Sequence, residues 1–259
     1  MLPSEENFAS LEAEKIASMY DQLYSNAAGS TFIFTGNLDP EASEVLIAKY
    51  LGNLPVSKSR QWVDRKIKFP EGITDAKVYA GTEYKSLVAV LFKDNFVYDS
   101  ENILKFDLLA KAYNIKLREN MREEIGGVYG VGARLSFSQF PQPEYTLTIN
   151  WGTNPELVDT LTTVVFAQME QLMADGPTAE DLAKVKETAI RQREGDVKQN
   201  SFWSSYMDNA SFNQTKMVDY ATYRQQVESV TIEDLKWIAQ KYFNPNHFVK
   251  VALYPEQKE

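Results

Sequence analysis

The sequence predicts an α+β fold: a two-layer domain in which a mostly antiparallel sheet has helices packed on one face. Strand-like patterns occur in groups and do not alternate one by one with helices, which favours this class. Two neighbouring runs, 128–137 and 145–151, each place apolar residues at alternate positions and flank a proline-containing turn, which predicts an antiparallel hairpin. Hydrophobic residues make up 44% of the 259 residues, enough for a sizeable core.

Apolar residues at helical spacing predict seven helices. These helices are expected over residues 8–24, 40–51, 100–120, 156–175, 178–200, 211–229 and 231–243. Asp39 precedes Pro40, the preferred order for a helix cap and first turn. Thr178 and Thr231 each have an aspartate three positions later, the pattern of a capping box.

Strands are predicted from short apolar or alternating runs between turn residues. They are expected over residues 30–34, 77–80, 85–92, 128–137, 145–151 and 247–254. No linker rich in glycine, proline or serine divides the chain, so we expect one domain over residues 1–259. Within this domain, residues 1–55 are a candidate lobe that is shared with a preceding domain.

Composition disfavours several classes of function. The net charge of −9 argues against general binding to nucleic acid or to an anionic membrane. No apolar stretch approaches the roughly 20 residues of a membrane-spanning helix. Cysteine is absent and His247 is the sole histidine, so one copy of the chain cannot build a multi-histidine or thiolate metal site.

Three stretches in order resemble the pitrilysin/insulinase-type zinc metallopeptidases, or inverzincins. Residues 31–40, followed by 50–55, resemble the family's strand, glycine turn and helix with its YLGxLP ending. Residues 117–131 resemble its LREExGxxYxV passage from helix to strand. Residues 230–246 are similar to its closing helix and strand. Together they cover nearly the whole chain, and they imply the mitochondrial processing peptidase-like metallohydrolase fold.

The family's zinc motif, H-x-x-E-H, is absent from this sequence. The resemblance therefore implies a C-terminal, non-zinc-binding domain, or the non-zinc subunit of a two-subunit enzyme, that is inactive alone. It implies that this chain binds no cofactor, that Zn²⁺ lies on a partner domain or subunit, and that the substrate is a peptide or small unfolded protein. The resemblance to the family favours a location in the bacterial periplasm or cell envelope. The cytoplasm is the alternative location.

The resemblance also assigns candidate site residues. Arg122 and Tyr129 match the family's arginine and tyrosine, with the same spacing of seven (129 − 122). A tyrosine hydroxyl suits oxyanion stabilisation, the catalytic role implied for Tyr129. A guanidinium suits substrate carbonyls or a carboxylate, the substrate-binding role implied for Arg122. Gly126 and Gly127 would let a substrate backbone approach closely.

Each of these residues also has a structural interpretation. An arginine in the last turn of a helix usually complements the helix dipole, and a tyrosine at the start of a strand usually packs. Glu123 and Glu124 could pair around a metal, but neighbouring helical residues diverge by about 100°. A nucleotide-binding loop is disfavoured because the glycines follow a helix instead of preceding one. For the whole chain, the alternative is a structural member like the core proteins of the mitochondrial ubiquinol–cytochrome c reductase.

Overall fold

The computed structural model describes residues 4–57, 62–121 and 126–256. Its helices are α1 (Glu5–Ala9), α2 (Ala13–Tyr24), α3 (Pro40–Tyr50), α4 (Ser100–Arg118), α5 (Val158–Asp175), α6 (Ala179–Asp196), α7 (Asn200–Asn213), α8 (Tyr220–Ser229) and α9 (Ile232–Tyr242). Its strands are β1 (Ile73–Tyr79), β2 (Ser86–Asn95), β3 (Val128–Ser138), β4 (Glu144–Thr153) and β5 (Phe248–Tyr254). Within these residues, no helix is long and apolar enough to cross a bilayer.

The strands form one five-stranded sheet with the order β1-β5-β2-β4-β3. The β1–β5 pair is parallel, and the β2–β5, β2–β4 and β3–β4 pairs are antiparallel. Asp75 and Lys250 lie opposite each other in the parallel pair, and their side chains form an ion pair of 2.8 Å. The prediction of a mostly antiparallel sheet containing the β3–β4 hairpin is confirmed.

The helices cover one face of this sheet. Strand β2 buries Val88, Val90 and Phe92, whereas Leu87 on the other face is 48% exposed. Phe106 of α4 is fully buried at the centre of the helical layer. Its ring stacks on Tyr242 of α9, with ring centroids 5.4 Å apart. The two-layer arrangement follows because every second side chain of a strand points to the same face of the sheet. The apolar side chains on that face pack against the helices.

Three of the sequence-based predictions of elements are wrong. Residues 30–34 are extended but form no strand, since no strand among the described residues lies beside them to complete the hydrogen bonding. The helix predicted over 8–24 is divided between α1 and α2. The helix predicted over 211–229 is interrupted, because Gln214 adopts a left-handed conformation (φ 53°) that ends α7. Asp219 then caps α8 by accepting a hydrogen bond from the Thr222 amide at 2.7 Å.

Residues 4–57 have an apolar surface that the rest of the described chain does not cover. Not one of them is buried. Helices α2 and α3 expose large apolar side chains, among them Met19 (61%) and Val45 (68%). This segment contacts the remainder through the Thr35 hydroxyl, which donates to the Asn200 carbonyl oxygen at 3.3 Å. Such a surface usually marks an interface.

Gly176 ends α5 with a positive φ of 76°, where a Cβ would lie 2.9 Å from Cγ2 of Ile232. We expect Gly176→Ala to lower the free energy of unfolding by about 1–3 kcal/mol in urea denaturation. Gly195, inside α6, is the matched control because a Cβ there meets nothing within 4 Å. Gly195→Ala should raise stability by about 0.5–1 kcal/mol. Equal stabilities of the two variants would contradict this account of the α5 terminus.

Candidate peptide-binding site around Tyr129

Tyr129 lies at the start of β3, where the pairing with β4 is irregular between Val128 and Gly130. Irregularities of this kind re-aim a side chain relative to the sheet. The Tyr129 side chain is 66% exposed. Its hydroxyl donates to Oδ1 of Asn154 at 3.0 Å. The phenol is therefore accessible from solvent and held in one orientation by a neutral acceptor.

Gly126 and Gly127 form the turn that leads into β3. Their φ angles are 74° and 72°, in the left-handed region that favours glycine. The Gly127 carbonyl oxygen accepts from the Thr153 hydroxyl at 2.9 Å, which fixes the turn to the end of β4. A Cβ at Gly127 would lie 2.5 Å from Cδ1 of Leu157, so any larger residue at this position would clash with Leu157. These contacts explain both glycines structurally, beside any role in approaching a peptide.

Arg122 lies outside the described residues, as do Glu123 and Glu124. Of the four predicted site residues, the structure thus brings Gly126, Gly127 and Tyr129 together in one passage.

Lys85 and Asn154 contact Tyr129 and were missed from the sequence. Nζ of Lys85 lies 5.3 Å from the centroid of the Tyr129 ring, a cation–π arrangement. Both side chains lie next to Gly152, where a Cβ would be in ordinary van der Waals contact with Cε of Lys85 at 3.5 Å and with Cδ2 of Tyr129 at 3.7 Å. The predicted hairpin places Tyr129 near Gly152. The hairpin register was therefore the sequence signal that could have identified Asn154 as a neighbour of Tyr129. Lys85 is brought in by the β2–β4 pairing, which no local pattern specifies.

A second tyrosine, Tyr84, lies beside this group. Its hydroxyl is hydrogen-bonded to Oε2 of Glu156 at 3.0 Å. That hydrogen bond and the carboxylate charge raise the pKa of Tyr84. Lys85 has no carboxylate within ion-pair distance among residues 4–57, 62–121 and 126–256. The site therefore combines two phenols and an available ammonium group.

The described residues do not fit a zinc ion. His247 uses Nδ1 to accept from the Gly72 amide at 3.1 Å, and its ring meets the edge of Phe69. Across the part of the chain that the structure describes, no three His, Cys, Asp or Glu side chains gather in a metal-binding arrangement. These contacts give His247 a structural role beside Gly72 and Phe69.

Aromatic side chains of α7 and α8 surround Arg193 of α6. Its guanidinium lies 4.9 Å from the Phe202 ring and 5.3 Å from the Tyr206 ring on α7. It lies 4.0 Å from the Tyr223 ring on α8. These contacts join α6, α7 and α8, which indicates a structural role for this aromatic group.

Comparison with known families decides the identity of the fold. The family described as the peptidase M16 inactive domain matches residues 10–189, more than half of the chain. The chain belongs to this family. The resemblance to pitrilysin/insulinase-type zinc metallopeptidases, with its C-terminal non-zinc-binding domain, is thereby confirmed.

This M16 inactive domain is similar to parts of longer proteins. It is 25% identical over 207 residues to the zinc protease PQQL-like protein of Arabidopsis thaliana, covering 73% of the chain and 21% of that protein. It is 24% identical over 259 residues to the probable zinc protease PqqL of Escherichia coli, covering 94% of the chain and 26% of that protein. The chain thus spans about a quarter or less of the curated relatives it matches.

The M16 inactive domain also matches a solved structure, that of the periplasmic protease PqqL from Escherichia coli. The TM-score is 0.83 at 21% sequence identity, and the match covers 99% of this chain and 28% of that chain. This likeness confirms the α+β fold class predicted from the sequence. In the M16 inactive domain, Tyr129 is an exposed residue whose hydroxyl donates a hydrogen bond to Asn154.

Proposed function

We propose that this chain is the substrate-binding, transition-state-stabilising half of a zinc-dependent endopeptidase that acts on peptides or small unfolded proteins. One observation carries the proposal: an exposed Tyr129 hydroxyl oriented by Asn154 at the end of a strand. In this proposal Zn²⁺ and its water chemistry belong to a partner domain or subunit. Membership of the M16 inactive-domain family supports such a partner.

Tyr129 would act as the hydrogen-bond donor to the oxyanion that forms when the scissile carbonyl is attacked. The phenol has one proton, which it donates to Asn154 in this structure. On substrate binding the hydroxyl would turn from the amide oxygen to the scissile carbonyl oxygen, so that it already faces the atom on which the negative charge then develops. A donor held in place beforehand lowers the barrier because little reorganisation is needed at the moment of reaction.

Arg122 would bind a substrate carbonyl or carboxylate through its planar guanidinium. The matching of the family motif supports this role, and Arg122 itself is outside the described residues. Gly126 and Gly127 would let the peptide backbone approach next to Tyr129. The space beside Gly126 is open, whereas at Gly127 the Leu157 side chain fills the Cβ direction, so the peptide would approach from another side.

The outer edge of β3 would pair with the peptide, as expected for an edge strand. Asn114 of α4 limits where this can happen. Its amide nitrogen donates to the Ala133 carbonyl oxygen at 2.7 Å, and its amide oxygen accepts from the Ala133 N–H at 2.6 Å. This side chain occupies the backbone groups that an added strand would need at Ala133. Pairing is therefore proposed for the portion between Tyr129 and Val131.

We further propose that residues 1–259 form one domain in which residues 1–55 are a lobe shared with a preceding domain. The exposed apolar side chains of α2 and α3 support this assignment. So does the unpaired extended segment at 30–34, because a neighbouring sheet would complete its hydrogen bonds. The greater length of the relatives supplies the polypeptide for such a domain.

The compartment proposed is the periplasm or cell envelope. The Escherichia coli protein with the matching structure is described as periplasmic, which supports this choice. The net charge of −9 disfavours binding to nucleic acids or to anionic membranes.

Reconstitution tests the proposed function. The chain, and separately the segment or subunit of the parent system that carries H-x-x-E-H, would be incubated with an internally quenched, unstructured peptide. We expect background cleavage from either component and rapid cleavage from the mixture, abolished by a chelator and restored by Zn²⁺. Cleavage by the chain alone would contradict the proposal. A stable but inactive mixture would also contradict it and would favour the structural alternative.

A further inference from the structure

A cleft of about 460 Å³ opens at the end of the sheet next to the proposed site. Its walls include the aromatic rings of Tyr79, Tyr84 and Tyr254, together with Pro155 and Glu256. The Tyr79 and Tyr254 rings are stacked, with centroids 5.6 Å apart. The Glu256 amide donates to the Gly81 carbonyl oxygen at 2.9 Å, which fixes the carboxylate-bearing residue at the cleft.

Two segments carry residues of both the cleft and the group around Tyr129. Tyr84 lines the cleft, and the next residue, Lys85, contacts the Tyr129 ring. Pro155 lines the cleft, and the preceding residue, Asn154, accepts from the Tyr129 hydroxyl. Because the two groups adjoin along both segments, one extended peptide is a suitable ligand to contact both.

The chemistry of the cleft suits a cation. Tyrosine faces attract ammonium and guanidinium groups. Lys77 already shows this attraction, since its Nζ lies 5.7 Å from the centroid of the Tyr254 ring. The Glu156 carboxylate is hydrogen-bonded to Tyr84 at the rim. Burial and the Asp159 carboxylate raise the pKa of Tyr254, which agrees with a negative environment there.

The charges around the cleft do not cancel. Glu83, Glu156, Asp159 and Glu256 supply carboxylates on or next to its walls. Lys77 and Lys85 supply positive charges beside these carboxylates. The nearby Asp75 adds no net charge, because its carboxylate is paired with the Lys250 ammonium group at 2.8 Å. A guest with a positive charge and a flat or elongated apolar stem would satisfy both the rings and the carboxylates.

We propose that this cleft binds a basic side chain, arginine before lysine, of the peptide that Tyr129 engages. Arginine ranks first because its planar guanidinium stacks on tyrosine and forms paired hydrogen bonds with carboxylates. The inference rests on the proposed function, since it assigns a substrate preference to the same binding surface. Lys77 competes for the Tyr254 ring, so its removal strengthens binding of the guest.

Binding of two capped peptides tests the proposal. Acetyl-Gly-Ala-Arg-Ala-Gly-amide and its citrulline counterpart, which keeps the shape and loses the charge, would be titrated into the chain by calorimetry. The arginine peptide is expected to bind about tenfold more tightly. In the chain labelled with 3-fluorotyrosine, it should shift the ¹⁹F signals assigned to Tyr84 and Tyr254.

Charge variants complete the test. Glu156→Gln combined with Glu256→Gln should remove the preference for arginine, and Lys77→Met should increase it. Glu170→Gln, an exposed change on α5, is the matched control and should leave the preference unchanged. Equal binding of the two peptides, or a preference that survives the double variant, would overturn the assignment. Because the readout is binding by this chain alone, it stands apart from any failure of the cleavage assay.

Discussion

Replacing Tyr129 with phenylalanine is expected to lower the turnover of the assembled peptidase by about 10²–10³-fold, the usual cost of losing one oxyanion donor. The ring remains, so contact with Lys85 and the packing over Gly152 should persist. Tyr129 is 66% exposed and its hydroxyl donates to Asn154, another residue at the edge of the sheet, so folding should change little. Most of the loss should therefore appear in kcat, and KM should change less, because the donor acts on the oxyanion and not on the bound substrate.

The matched control is Tyr220→Phe, which removes a phenolic hydroxyl at the start of α8, on a different element from Tyr129. Both variants would be combined with the zinc-bearing half and compared by steady-state kinetics on the same quenched peptide. Thermal unfolding of each variant would confirm that the fold is retained. Turnover of the Tyr129 variant within twofold of the wild type would refute the role assigned to the phenol.

Phe106→Ala is expected to lower the free energy of unfolding by about 3–5 kcal/mol, the range for truncating a large buried aromatic residue. Phe106 is fully buried, and five aromatic rings lie around it. Those of Tyr145, Tyr242 and Phe137 have centroids 5.1, 5.4 and 5.9 Å from its own. Alanine would leave a cavity that this ring cluster cannot close, because its members belong to separate strands and helices.

Urea denaturation followed by circular dichroism measures this loss. Phe8→Ala is the matched control, since Phe8 is 65% exposed in the chain by itself. Its effect should stay within about 0.5 kcal/mol, as for most surface substitutions. A loss below about 1 kcal/mol for Phe106→Ala would be inconsistent with its place at the centre of the core.

Features set by local patterns were predictable from the sequence. Asp39 caps α3 by accepting from the Glu41 and Ala42 amides, as the Asp-Pro order indicates. Thr231 and Asp234 form the predicted capping box at α9. The hairpin of β3 and β4 followed from alternation and the intervening turn. Each of these depends on residues close together in the chain.

Features set by distant pairing were not predictable in the same way. The parallel pairing of β1 with β5 joins segments from opposite parts of the sequence. Residues 30–34 have the composition of a strand, but pairing decides whether a strand forms. The break between α7 and α8 arises at Gln214, a residue type that gives no warning of a left-handed conformation.

The candidate site divides along the same line. The motif passage placed Tyr129, Gly126 and Gly127 together, because they are neighbours in sequence. Lys85 enters the site through the β2–β4 register, which aligns Leu87 with Gly152. The cleft lined by Tyr79, Tyr84 and Tyr254 likewise needs three separate segments to meet at one end of the sheet.

The most direct test of the central claim is whether the Tyr129 phenol lies beside the partner's metal. The zinc-bearing half would be loaded with paramagnetic Co²⁺ and combined with this chain labelled with 3-fluorotyrosine, and the ¹⁹F spectrum compared with that of the Zn²⁺ complex. The account predicts that the Tyr129 signal shifts or broadens far more than that of Tyr113, which is fully buried in the helical layer. A Tyr129 signal unchanged by Co²⁺ in a complex that has formed would contradict it.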